Sequence, residues 1–419
     1  MRARPVSVCV MSQLELLLTS DAESAAHNTA AWDPATGTQV AAFRGGHAAA
    51  GTLCSLAGHS VAAAERGRPG LQLWRLARRD AVHQRLSTPG PVSALAADPA
   101  AVWLALAVAE RVFVHEVASG RLLAVLGRHY QTVTALRFTD DGSHFVSAAD
   151  DGLAAVWPVA ACVDPESARH GQPLHVWAHH SLPVTGLHVG GGGPRARVLT
   201  CSRDQTCKVY QLSSGELLLS VSFDVGLTSV ALGPAETRVF CGTASGAVLS
   251  FSLTEPPRSL EQHVSTAAAG ALTGHTGRVT CLAVTRDGRT LVSGSDDQTV
   301  RLWHVASGQC VRTLPQRGAV TNVSLVGWPA ALRESGAAPP PLLVGQLQRA
   351  QPDSGPLQLE LVLRDRPPLL EPPSDGEEEE DGDDDRDRTI EQLRRQIAAC
   401  EDVNSSMYQF MVDRVMKEV

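Results

Sequence analysis

The chain's fifteen histidines are the first residues that could do chemistry, because imidazoles gathered at ligand spacing hold zinc. His170, His175, His179 and His180 form the densest group, yet most histidines fall at recurring places along the chain, which argues for a repeated structural part. Paired acids at Asp140-Asp141, Asp150-Asp151 and Asp296-Asp297 have the composition of a general acid–base pair. They sit between strand-like runs, where Asp side chains bond nearby backbone in turns. Nine cysteines, from Cys9 to Cys400, include no CxxC pair, and an odd count without framework spacing fits reduced thiols used as small buried apolar residues. Gly190–Gly193 runs into Pro194 with no helix start, so it is a flexible loop and not a phosphate cradle. No GxSxG, Walker A or strand-to-helix GxGxxG motif is present. The sequence therefore predicts a chain with no catalytic residues, no metal and no cofactor.

The elements that position these residues emerge as a repeat. Leu272 to Leu314 contains four short apolar segments, VTCLAV, TLVSGS, TVRLWHV and CVRTL. Turn signals at Arg286-Asp287-Gly288, Asp296-Asp297 and Ala306-Ser307-Gly308 separate them, which makes a four-stranded antiparallel meander. Gly274-His275 precedes the first strand, Asp297 lies six residues before Trp303, and Ser307-Gly308 follows the third strand. Together these residues resemble a blade of the WD-repeat family, with His304 where that family usually has Asp. The resemblance implies a buried hydrogen-bonded network of His275, Asp297 and Trp303, completed by the hydroxyl of Ser293 or Ser295.

Copies of the template put Trp32, Trp74, His115, Trp157, Tyr210 and Phe251 in the slot of Trp303, at steps of 42, 41, 42, 53, 41 and 52 residues. One four-stranded blade takes ~40–45 residues, so seven slots predict an all-β, seven-bladed WD40 propeller over residues 1–328. The two long steps correspond to surface loops at Asp164–His175 and Glu255–Gly270. His129, Asp151 and Trp157 form a second complete set, and His180, Asp204 and Tyr210 a third. Elsewhere the Asp slot holds Ala26, Arg68, Ala109 or Ser245, so those blades rely on apolar packing, and a search for the consensus should find two or three repeats. Arg2–Leu18 reads as a strand, not a leader, since Gln13 and Glu15 interrupt it. The chain opens part-way through a blade, and Ala319–Val326 is expected to close the ring against that blade, removing both sheet edges.

Residues 329–374 are proline-rich with two strand-like pieces, PLLVGQLQ and LQLELVL, read as an extra hairpin or irregular chain. Residues 375–388 are an acidic linker expected to be disordered. The formal net charge of −8 resides there, because residues 1–374 carry 29 acids against 30 Lys/Arg. A body so nearly neutral does not hold nucleic acid mainly by charge, which leaves direct RNA contact a weak alternative. Residues 389–419 place Ile390, Leu393, Ile397, Asn404, Met407 and Met411 at heptad spacing, predicting an amphipathic helix that self-associates, most simply as a homodimer. Docking of that helix onto its own propeller is the competing reading.

Three stretches, around Arg128-His129-Tyr130-Gln131, Trp177-Ala178-His179-His180-Ser181-Leu182-Pro183 and Ser214-Gly215-Glu216-Leu217, depart from generic WD consensus. They resemble the WD repeat-containing protein 18 family, and the likeness runs along nearly the whole chain except the alanine-rich second and third blades and residues 331–387. The resemblance implies a non-enzymatic scaffold of the rixosome, a nuclear assembly that processes the internal spacer of pre-rRNA during 60S ribosomal subunit maturation. It further implies a helical-repeat partner subunit of the Rix/PELP type, and the midasin AAA+ ATPase and pre-60S particle as wider partners. Nuclease, polynucleotide kinase and SUMO protease activities belong to other subunits. A nucleolar and nucleoplasmic location follows, with the cytoplasm left open, and no membrane association. The alternative is a substrate-receptor adaptor of a cullin-type ubiquitin ligase. Those receptors tend to carry W-[DE]-x-[RK], whereas Trp32-Asp33-Pro34-Ala35, Trp74-Arg75-Leu76-Ala77 and Trp303-His304-Val305-Ala306 do not fit.

Overall fold

The computed structural model describes residues 15–349 apart from 24–27, 46, 59, 77–83, 165–170, 255–258, 266–269 and 329–343. The expected acidic linker and C-terminal heptad helix, with Ile390, Leu393, Ile397, Asn404, Met407 and Met411, lie outside the described residues, as does most of the proline-rich extension.

Seven antiparallel sheets follow one another along the chain and form the seven blades of a β-propeller. Blade 4 shows the pattern, with Val133–Phe138 innermost, then His144–Ala149, Ala154–Pro158 and His175–Trp177 outermost. All seven slot residues lie in or at the end of third strands: Trp32, Trp74, His115, Trp157, Tyr210, Phe251 and Trp303. Ring closure is built from both ends of the sequence. Val320–Gly327 pairs antiparallel with Glu15–Asp21, with Leu17 opposite Leu325 and Leu18 opposite Ser324, so blade 1 takes its innermost strand from the far end of the propeller.

The core is divided by blade interfaces. Each of seven apolar clusters joins two adjacent blades: Trp74 with Phe43 and Leu16 between blades 1 and 2, Trp157 and Phe145 with Leu126 between 3 and 4, and Phe223 with Leu249 between 5 and 6. A single sheet is too thin to bury its own faces, so each is covered by its neighbours, and the ring leaves no terminal blade exposed.

Two features depart from four strands per blade. Blade 6 has three strands, and the chain beyond it places Glu261–His263 parallel to Leu217–Ser222 as a fifth strand of blade 5. The stretch expected as a loop thus covers the outer edge of blade 5. Among the described residues Leu272 alone pairs with the open edge of the blade 6 sheet, exchanging two backbone hydrogen bonds with Val248.

A second tie joins six of the seven blade interfaces beside the central axis, among the described residues. Six innermost strands begin with Val or Leu followed by Ser or Thr, and in blades 3 to 7 that hydroxyl donates to the first-strand carbonyl of the next blade. Ser93 bonds Val133 O and Thr134 bonds Val184 O at 2.7 Å each, Thr185 bonds Leu227 O at 2.9 Å, Thr228 bonds Val279 O at 2.5 Å, and Thr280 bonds Val320 O at 2.7 Å. Between blades 1 and 2 the Asn322 amide takes over, donating to Ala49 O and accepting from Thr52 N.

Candidate functional site

Of the nine residues expected to form polar networks, eight are hydrogen-bonded in three separate sets, while the Tyr210 hydroxyl is buried without a hydrogen-bond partner. In blade 7, Trp303 Nε1 donates to Ser293 Oγ at 2.8 Å, His275 Nε2 lies 2.7 Å from the same hydroxyl, and His275 Nδ1 lies 2.8 Å from Asp297 Oδ2. A carboxylate only accepts, so Nδ1 carries the proton and Nε2 accepts from Ser293. The chain of hydrogen bonds is closed with a neutral imidazole. Burial holds His275 below its ordinary pKa, against the pull of Asp297. Burial works to raise the Asp297 pKa, but hydrogen bonds from Thr299 and His275 outweigh it and keep the carboxyl ionised. Of the two candidate hydroxyls Ser293 is the member; Ser295 instead donates to Gly277 O and accepts from Asp297 N.

Blade 4 repeats the arrangement. His129 Nε2 is 2.8 Å from Ser147 Oγ, Trp157 Nε1 donates to that hydroxyl at 2.9 Å, and His129 Nδ1 lies 3.1 Å from Asp151. Blade 5 substitutes Thr200, 2.7 Å from His180 Nε2, with Asp204 2.9 Å from Nδ1. Here the Tyr210 ring occupies the slot and stacks on Trp177 with centroids 4.2 Å apart. Blade 1 keeps a fragment, Trp32 Nε1 to Thr19 Oγ1 at 2.9 Å, while Trp74 of blade 2 donates to Arg44 O.

These networks consume the residues that might have done chemistry. His180 is held by Asp204, His179 stacks against Tyr210, and His175 lies 3.4 Å from Ser213 O, so these three have separate partners, while His170 lies outside the described residues. Among the described residues no group of three or more His, Cys, Asp or Glu is placed to hold a metal. Asp141 accepts from Ser143, the local turn bonding expected, whereas Asp140 departs from it and accepts from Gly192 N and Gly193 N, tying its turn to the glycine loop of blade 5. Burial pushes the thiols of Cys54, Cys162 and Cys281 up to about 12, far from a nucleophile's range. No helix among the described residues is long and apolar enough to cross a membrane.

What the arrangement can do is present loops. Tyr130 follows the network residue His129 and is 76% exposed, with Arg128 donating to its hydroxyl at 3.1 Å and lying 5.9 Å from its ring. Leu182 follows His180 and is 47% exposed. The Asp151-Gly152 turn sits between these loops, accepting from Tyr130 N on one side and packing against the carbonyls of His180 and Leu182 on the other. Blades 4 and 5 therefore carry a neighbouring aromatic–aliphatic pair on rigid supports. Near the inner strands, residues of blades 1 to 5 line a cavity of about 330 Å³ that includes Arg137. His188, half-buried, is held at about 4 by desolvation and by the Arg137 cation.

The family model described as "WD domain, G-beta repeat" matches residues 120–158, 171–211 and 267–304, which contain the His–Asp pairs of blades 4, 5 and 7. WD repeat-containing protein 18 of Homo sapiens is 40% identical over 359 residues, 84% of this chain and 83% of that protein. The chain belongs to the WD repeat-containing protein 18 family. The Danio rerio member is also 40% identical, over 78% of this chain and 76% of its own length. More distant is the pre-rRNA-processing protein pro-1 of Caenorhabditis elegans, 28% identical over 75% of this chain and 61% of its own. The loops that carry Tyr130 and Leu182 follow the outermost strands of blades 3 and 4 and lead into the first strands of blades 4 and 5.

Proposed function

We propose that this chain is a non-catalytic scaffold in pre-rRNA processing, a subunit of the rixosome acting in the nucleolus and nucleoplasm during 60S maturation. The observation that carries this reading is the exposed Tyr130 and Leu182 pair, held by the polar networks of blades 4 and 5 in a chain whose relatives include proteins named for pre-rRNA processing. Aromatic and aliphatic side chains on rigid loops are the anchors of protein interfaces. A helical-repeat subunit of the Rix/PELP type supplies the complementary apolar surface, midasin and the pre-60S particle are engaged through the assembled complex, and residues 389–419 join two copies.

The test is affinity purification of tagged chain from nuclear extract, with Tyr130→Ala/Leu182→Asp alongside. The wild type should recover a helical-repeat subunit and pre-60S proteins, and the variant should lose the former. Recovery of a cullin adaptor in their place, or of neither, overturns the proposal.

A further inference from the structure

Residues Val344–Arg349 return to the propeller and lie along its rim between blades 2 and 3. They form no strand with either sheet, yet they are held at almost every position. Gln84 Nε2 donates to Val344 O at 2.8 Å, Gly345 N to Val117 O at 2.9 Å, and Gln348 N to Gly120 O at 2.9 Å. The Gln348 side chain accepts from Leu122 N at 3.1 Å, and Arg349 bonds Ser87. Leu347 is 7% exposed and joins the apolar cluster that links the two blades, among Leu71, Leu86, Leu104 and Val117.

The groove reads particular residues. Gly345 and Gly120 approach each other's backbones so closely that a Cβ on Gly345 would collide with Ser119, and one on Gly120, whose φ is +74°, with Gln346 O. His115, which holds the aromatic slot of blade 3, is fully buried with Nε2 2.9 Å from Gln348 O. A carbonyl only accepts, so Nε2 carries the proton and the ring is a neutral donor aimed at the segment. The site thus specifies a tight glycine, a buried leucine and a glutamine that bonds through both main chain and side chain. Its location is also telling. Blades 2 and 3 lack the Asp of the polar network, with Arg68 and Ala109 in its place. Among the described residues, no first-strand hydroxyl of blade 2 reaches a blade 3 carbonyl, whereas the five interfaces from blade 3 round to blade 1 have that bond.

We infer that the groove between blades 2 and 3 is a binding site for an extended Gly-x-Leu-Gln peptide, filled in cis by Val344–Arg349. The segment is a clasp that ties the blade interface lacking the ring's other polar ties. It also sets the point from which residues 350–419 depart, away from the closing strand in blade 1.

A protease site inserted within residues 329–343 of the full chain tests this. After cleavage the fragment beginning near Val344 should co-elute with the propeller. Leu347→Asp should lower that retention about tenfold or more, the equivalent of losing one buried leucine. Hydrogen exchange on the uncut chains provides a second readout, with the Leu122 amide protected in the wild type and unprotected in Leu347→Asp. Free dissociation of the wild-type fragment, equal retention of the variant, or unchanged protection of Leu122 overturns the inference.

Discussion

Ser293→Ala removes one oxygen that serves two partners. The hydroxyl accepts from Trp303 Nε1 at 2.8 Å and donates to His275 Nε2 at 2.7 Å, in a site where Ser293 is fully buried and Trp303 is 2% exposed. The variant creates almost no cavity, so its cost is that of an indole N–H and an imidazole nitrogen left dry without partners. Each such orphan costs ~1–3 kcal/mol, and with partial relaxation the pair should cost about 3 kcal/mol. Equilibrium urea unfolding followed by circular dichroism measures this directly. Trp303→Phe removes the indole donor itself, so the serine should matter less in its presence. The double variant should therefore fall short of additivity by ~1–2 kcal/mol. A loss below about 0.5 kcal/mol for Ser293→Ala, or strict additivity with Trp303→Phe, would refute the hydrogen-bond chain derived for blade 7.

Other perturbations probe the rest of the molecule. Thr134→Val deletes the hydroxyl bound to Val184 O and should cost ~1 kcal/mol in urea; Thr280→Val should cost the same, and the two should add, since they sit on different interfaces. Lowering the pH should destabilise the ring. His188, His115 and His129 are all held below their ordinary value by burial, so the unfolded chain takes up protons first and stability is lost as pH falls from about 6.5 towards 4. His188→Gln should flatten the dependence of melting temperature on pH across that window. Deleting residues 389–419 should convert a dimer to a monomer by light scattering without lowering the propeller's melting temperature, and an unchanged mass would remove the self-association reading.

Much of this ring was legible because a blade needs a fixed length of chain and a few residues of fixed type. The slot residues fall in the third strands even where His115 or Phe251 replaces tryptophan, since spacing survives when chemistry drifts. The networks of blades 4, 5 and 7 are legible from His and Asp alone, but Ser293 and Ser295 lie two residues apart on one strand face, and only the hydrogen bonds single out Ser293. The belt of Ser93, Thr134, Thr185, Thr228 and Thr280 has a plain sequence signal, a Val or Leu followed by a hydroxyl residue at the start of the inner strands of blades 3 to 7. Glu261–His263 carried no such signal. Its residues favour no strand, and the open edge of Leu217–Ser222 recruits them. PLLVGQLQ reads as strand-like, yet Val344–Arg349 form no strand, because the groove that holds Leu347 is assembled from residues more than two hundred positions away.

Closure by strands from opposite ends of the propeller has a consequence for the order of synthesis. Ser20 and Thr321, bonded through their hydroxyls in blade 1, are separated by 301 residues. At ribosomal speeds of ~5–20 residues per second, the first strand waits roughly 15–60 s for its partner. Throughout that interval Glu15–Asp21 has one unpaired edge, and the apolar faces destined for the closing interface are wet. Blades 2 to 6 can stack as they emerge, whereas blade 1 can form only after blade 7. The newly made protein is an open arc, and a chaperone that shields a strand edge should act on it before any assembly partner does.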